Sequence, residues 1–184
     1  MKRILPIILI ALIIPIAFAQ APTGPARITG AAHMAYYVTD LAKARSYYHD
    51  FLGFEEAFTL KNPDGSEHVA VMKINDHQYI KLILSTTEET AKSHGFLHDA
   101  GFETADAKAA HTAIAALGVK TTDVAKDQAG DLVFQVTDPY GFQIEIVQYL
   151  PDSMTGKSKG KFMPATQLAA KIDHLAFANQ EVRP

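Results

Sequence analysis

The stretch His33-Met34-Ala35-Tyr36-Tyr37-Val38-Thr39-Asp40 is a run of aromatic and β-branched residues that ends on a helix-capping pair. It reads as a strand feeding directly into a helix. Beyond it, Leu41, Ala44, Tyr47, Tyr48, Phe51 and Leu52 recur at three- and four-residue spacing, and Gly53 follows as a C-terminal stop. Three strands come next: Phe54 to Leu60, Glu67 to Ile74 and Gln78 to Leu84. They are separated by turns at Asn62-Pro63-Asp64-Gly65 and Asn75-Asp76.

The same order then repeats. Phe102-Glu103-Thr104 precedes Asp106, an Ala-rich helix runs through Ile114 and Leu117, and Gly118 stops it. Val119 to Val124, Leu132 to Thr137 and Phe142 to Tyr149 follow as strands, with a turn at Asp138-Pro139-Tyr140-Gly141 before the last. Asp40 and Asp106 are 66 residues apart and Gly53 and Gly118 are 65 apart, so the two units keep near-constant register through their helices.

Alternation along the first strand puts His33, Ala35 and Tyr37 on one face and Met34, Tyr36 and Val38 on the other. The second set is the more apolar and should meet the helix, leaving His33 on the opposite side. In the last strand Phe142, Ile144 and Ile146 share a face, so Glu145 points the other way between two isoleucines. A carboxylate there is costly to bury alone, and a metal ion or a cationic partner would offset that cost.

Composition narrows the chemistry. The 184 residues include 17 Lys plus Arg, 20 Asp plus Glu and no cysteine. That excludes a disulfide scaffold, a thiolate metal site and a cysteine nucleophile. A formal charge of -3 argues against nucleic acid as a partner. No G-x-S-x-G elbow, phosphate loop, dinucleotide turn or H-E-x-x-H helix occurs, so a site must be built from strand-borne His, Asp, Glu, Tyr and Lys.

The N-terminus reads as a secretory signal peptide over residues 1–19: Met1-Lys2-Arg3, an apolar run from Ile4, and Ala17-Phe18-Ala19 before Gln20. Pro6 and Pro15 interrupt a run already short for a membrane span, so no stable anchor is expected after cleavage. Removing Lys2 and Arg3 leaves 15 basic against 20 acidic residues, an acidic secreted or periplasmic domain with a net charge of -5. Residues 20–30 form a leader.

The pattern His33-x-x-Tyr36-x-x-x-Asp40, followed by Ala44-x-x-Tyr47-Tyr48-x-x-Phe51-Leu52-Gly53-Phe54, resembles the opening of the vicinal oxygen chelate superfamily. Asp138-Pro139-Tyr140-Gly141-Phe142-Gln143-Ile144-Glu145 is similar to its closing strand. This is the superfamily of glyoxalase I, extradiol dioxygenases and the bleomycin and fosfomycin resistance proteins. The resemblance covers residues 31–149 and implies an α+β fold in which two βαβββ modules, 31–84 and 99–149, form a curved, cleft-enclosing mixed sheet. It also implies metal ligands at His33 and Glu145. Lys81 falls where glyoxalase I-like members place a carboxylate.

The third ligand turns on one residue. Counting back from Phe102 in register with Tyr36 puts Asp99 opposite His33, whereas a bulge at Gly101 would turn His98 inward and complete a 2-His-1-carboxylate set. Either set suits a divalent ion such as Fe, Mn or Zn. Tyr37 and Glu103 are candidates for substrate contact or general base.

Two functions follow as expectations. One is an exported, metal-dependent enzyme, a lyase or dioxygenase, acting on a small molecule with adjacent oxygens. The other is a metal-free module that sequesters a small molecule, like the bleomycin resistance proteins. Residues 150–167 read as a flexible surface segment. Residues 170–178 carry the alternation of another first strand, which either adds to an edge of this sheet or pairs with a second copy in a homodimer that buries Leu175 and Phe177.

Overall fold

The first unit assembles as the sequence order predicts. In the computed structural model, which describes residues 27–85 and 97–174, β1 (Ile28–Val38) leads through Asp40 into α1 (Leu41–Ser46). The Asp40 side chain accepts the Lys43 N–H at 3.0 Å and so satisfies one of the unpaired donors at the helix start. The helix then widens into a π-helical turn (Tyr47–Phe51), and Gly53 reverses the chain with a φ of 72° that side chains rarely adopt. Strands β2 (Glu55–Lys61), β3 (Glu67–Lys73) and β4 (Tyr79–Leu84) complete the module.

The second module repeats the plan with β5 (Leu97–Thr104), α2 (Ala107–Ala116), β6 (Ala125–Lys126), β7 (Leu132–Thr137) and β8 (Gln143–Gln148). Asp106 caps α2 as Asp40 caps α1, accepting the Ala109 N–H at 3.0 Å. The expected strand at 119–124 does not form, and the two-residue β6 lies just beyond it. Thr121 makes a single bridge to Val136.

All eight strands join one mixed sheet in the order β2-β3-β4-β1-β5-β8-β7-β6. It curls into a half-barrel whose two modules meet where β1 and β5 run antiparallel. Each module buries one sheet face under its own helix. Leu41 of α1 packs with Phe54, Ala70, Met72, Ile80 and Leu82, and Ala107 and Ala110 of α2 pack with Phe134 and Ile146. Burial of each large apolar side chain contributes about 1.5–3 kcal/mol, which fixes strand register and therefore which residues face the cleft.

Residues 150–161 correct the expectation of a flexible segment. They hold a short helix, α3 (Met154–Lys157), and bury Ser153, Thr155 and Ser158. This strap ties the two modules together. On module two, the Leu150 N–H donates to Asp131 Oδ1 at 2.7 Å and the Met154 N–H to the Ala129 carbonyl at 2.9 Å. On module one, the fully buried Lys73 donates to the Ser158 carbonyl and to Asp76 Oδ1 at 2.7 Å.

The tail continues onto module one, where the Leu168 N–H donates to the Leu52 carbonyl at 2.9 Å. Gln78 grips Ile172 on both sides: its Nε2 donates to the Ile172 carbonyl at 2.9 Å and its Oε1 accepts the Ile172 N–H at 2.7 Å. Residues 170–174 form no strand, in contrast to the sequence expectation, because a side chain rather than a strand edge takes their hydrogen bonds. Leu175 and Phe177 lie outside the described residues, as does the leader up to residue 26.

Candidate functional site

The face of the sheet away from both helices carries the chemistry. Pairing across it places His33 between Tyr79 of β4 and Gly101 of β5, and Gly101 in turn opposite Glu145 of β8. One step along, Ala35 lies between Lys81 and Asp99. Paired residues in neighbouring strands share a face, so His33, Lys81, Asp99 and Glu145 converge on the cleft.

The register shows which of Asp99 and His98 faces the cleft. The β1–β5 ladder shifts on β1 between Ile28 and Gly30 and between Ala31 and His33, and on β5 at His98, which is skipped between the pairs Ala35–Asp99 and Tyr36–Leu97; pairing from His33 to Ala35 is regular. Asp99 therefore points inward. His98 does not join the cluster directly; its Nδ1–H donates to Asp99 Oδ2 at 2.7 Å.

Three donor atoms meet. His33 Nε2 lies 3.1 Å from Asp99 Oδ1 and 3.4 Å from Glu145 Oε1, and His33, Asp99 and Glu145 are all buried, with their ligand atoms within 4.8 Å of one another. Two ligands about 2.1 Å from one ion stand about 3.0 Å apart in octahedral and about 3.4 Å apart in tetrahedral geometry, so the observed spacings fit adjacent ligands of a single divalent ion. The other oxygen of each carboxylate is held from outside: Asp99 Oδ2 by His98 and Glu145 Oε2 by Gln135 Nε2 at 3.1 Å. Such outer hydrogen bonds orient ligands in metal sites.

The model of the Glyoxalase/Bleomycin resistance protein/Dioxygenase superfamily matches residues 30–146. The chain belongs to that superfamily. Among solved structures, methylmalonyl-CoA epimerase from Mycobacterium tuberculosis aligns with a TM-score of 0.57 at 24% identity, over 67% of this chain and 90% of the epimerase. A variant of the Streptomyces coelicolor methylmalonyl-CoA epimerase bound to 2-nitronate-propionyl-CoA aligns with a TM-score of 0.56 at 25% identity, over 66% and 98%. A hypothetical protein from Bacillus halodurans shares the fold at 16% identity, with a TM-score of 0.55 over 65% and 94%. No curated protein matches the chain significantly.

In this superfamily member the electrostatics of the cluster are set by Lys81, whose Nζ donates to Glu145 Oε1 at 2.9 Å. Burial acts to raise the Glu145 carboxyl, but the charges of Lys81 and His33 outweigh it and hold the group below its ordinary value. Burial opposes ionisation of Asp99 too, yet hydrogen bonds from His33 and His98 and the charge of Lys81 hold it well below the carboxylate range. Burial also works against the Lys81 ammonium, and here the nearby Glu145 and Asp99 prevail and raise it. Both carboxylates are thus ionised and Lys81 charged near neutral pH.

The remaining site candidates divide. The Tyr37 ring meets His98 edge-on at 5.0 Å, which places Tyr37 beside the cluster's outer support. Glu103 stands two residues beyond Gly101, on the side away from Asp99, and its carboxylate pairs with His77 Nδ1 at 2.9 Å rather than with the three donors. Sequence reasoning passed over Gln135 and Lys73. Alternation in β3 placed Lys73 on the cleft face with Val69 and Val71, a signal that it would be buried; Gln135 becomes visible only once its pairing with Glu145 is known.

Proposed function

We propose that this superfamily member is an exported enzyme that uses one divalent ion, Fe, Mn or Zn, on His33, Asp99 and Glu145 to act on a small molecule with two adjacent oxygens. The observation that carries this reading is the convergence of His33 Nε2 with Asp99 Oδ1 at 3.1 Å and Glu145 Oε1 at 3.4 Å. When bound, the ion supplies Lewis-acid polarisation of substrate oxygens. The chain's own residues do the positioning. His98 and Gln135 immobilise the two carboxylates, Lys81 offers an ammonium donor beside Glu145, and Tyr37 and His98 stand at one side of the cluster.

A lyase-type proton transfer next to a carbonyl is the reaction class we favour over oxygen chemistry. The Streptomyces relative is bound to a nitronate, a planar, resonance-stabilised anion that carries negative charge on oxygen, as an enolate does. A cation and an ammonium set side by side would stabilise such a charge as it develops. Export rests on the three-part start of the sequence over residues 1–19.

Elemental analysis of protein purified without chelating resin tests the reading. About one divalent ion per chain is expected in the wild type and none in the His33→Ala, Glu145→Ala double variant. A second reading, a metal-free module that binds a small molecule in the same cleft, is favoured by the Lys81–Glu145 ion pair, which already neutralises one carboxylate. A wild type that neither retains nor takes up a divalent ion would establish it over the first.

A further inference from the structure

Two cations would have to share one carboxylate oxygen. Lys81 Nζ donates to Glu145 Oε1 at 2.9 Å, and that same oxygen, 3.4 Å from His33 Nε2, is the one that would hold the ion. Glu145 Oε2 does not relieve the crowding, because Gln135 Nε2 already donates to it at 3.1 Å. An ion on His33, Asp99 and Glu145 would therefore sit within a few ångström of the Lys81 ammonium. Like charges that close repel strongly even at an effective dielectric of about 20.

Without an ion, the same ammonium makes the cluster tolerable. Asp99 and Glu145 are buried close together, with His33 fully buried against both. Among the described residues, Lys81 is the only Lys or Arg paired with either carboxylate. Removing such a partner strands a buried charge and destabilises the fold. Lys81 also has somewhere to turn. A cavity of about 20 Å³ lies beside it, room for one water or one ammonium head, lined by Asp127 and Asp131 but by none of the three donors.

We infer that Lys81 is an internal counter-cation that alternates with the divalent ion: it holds Glu145 while no ion is bound, turns towards Asp127 when one binds, and so keeps the ion exchangeable. This rests on the proposed metal site. It gives loss of the Lys81 charge two opposite effects. The ion-free chain becomes less stable, and the ion binds more tightly. A lysine that merely supports the structure would give the reverse second effect, because loosening the donors weakens binding.

The test is Zn2+ calorimetry and thermal melting on protein stripped with EDTA and dialysed, comparing the wild type with Lys81→Met. The variant should melt at a lower temperature than the wild type in EDTA and bind Zn2+ about tenfold or more tightly, as expected for removal of a unit charge this close to a divalent ion. A variant that folds only when Zn2+ is present supports the inference, and one that stays unfolded at saturating Zn2+ overturns it. Equal or weaker Zn2+ binding by the folded variant overturns this inference alone. A wild type that takes up no Zn2+ overturns it together with the proposed function. Wild-type crystals soaked in Zn2+ give an arm that needs no variant: Lys81 Nζ should have left Glu145 Oε1. Finding it still within about 3.2 Å of that oxygen with Zn2+ on the three donors would overturn the alternation.

Discussion

His33 and Gly101 face one another across β1 and β5, and the imidazole of His33 lies where a side chain on Gly101 would begin. A Cβ at position 101 would overlap three atoms of the ring. The glycine is thus required by close approach rather than by backbone angle, and it lets the histidine lie across the sheet towards Asp99 and Glu145. His33 is fully buried, so the ring has nowhere to retreat without displacing its neighbours.

Gly101→Ala is accordingly expected to destabilise the protein by about 1–3 kcal/mol, the usual range for overpacking, and to weaken divalent-ion uptake. Urea unfolding with and without Mn2+ checks both. A variant with wild-type stability and uptake would show that the ring is free to move.

Lys73 anchors the strap from beneath. Lys73→Met removes the charged donor to the Ser158 carbonyl and to Asp76; the Ser158 carbonyl keeps the Lys161 N–H, so the cost is that of the lost charged hydrogen bonds, about 1.5–3 kcal/mol. Trypsin should then cut faster after Lys157, Lys159 or Lys161, and the melting temperature should fall. Unchanged cleavage at these lysines would mean that the contacts to Ala129 and Asp131 hold the strap by themselves.

Acid should weaken the chelator-treated protein in a defined window. Asp99 and Glu145 both ionise more readily in the folded chain than at their ordinary values of 3.8 and 4.5. Their contribution is therefore complete above about pH 5.5 and declines as pH falls through 4.5 and 3.8, where the unfolded chain takes up protons first. Thermal melts between pH 7 and pH 3 should show a shallower acid limb for Asp99→Asn than for the wild type. Parallel limbs would contradict the assignment.

Expression of the full sequence in a secreting bacterial host should yield a mature chain that begins at Gln20. N-terminal sequencing of the periplasmic or culture fraction reads this directly. Retention in the cytoplasm with Met1 intact would remove the basis for export.

Much of this architecture was legible beforehand because it depends on local periodicity. Asp40 and Asp106 cap their helices, Gly53 and Gly118 reverse the chain after them at positive φ, and alternation placed His33 and Glu145 on the cleft face. The choice between His98 and Asp99 was open because it depends on where the ladder shifts. Gly101 looked like the bulge, whereas the irregularities flanking the pair sit on β1 at Ala32 and on β5 at His98 itself. The strap was opaque for a related reason. Its polar composition resembles a linker, and only the tertiary position of Lys73, Asp131 and Ala129 gives its backbone groups partners.

The proposed metal site is most directly tested by anomalous diffraction from crystals of the protein soaked in Mn2+ or Zn2+. One peak per chain is expected, at about 2.0–2.3 Å from His33 Nε2, Asp99 Oδ1 and Glu145 Oε1. A cleft without a peak, with Lys81 still paired to Glu145, or an ion held by other residues, would contradict it.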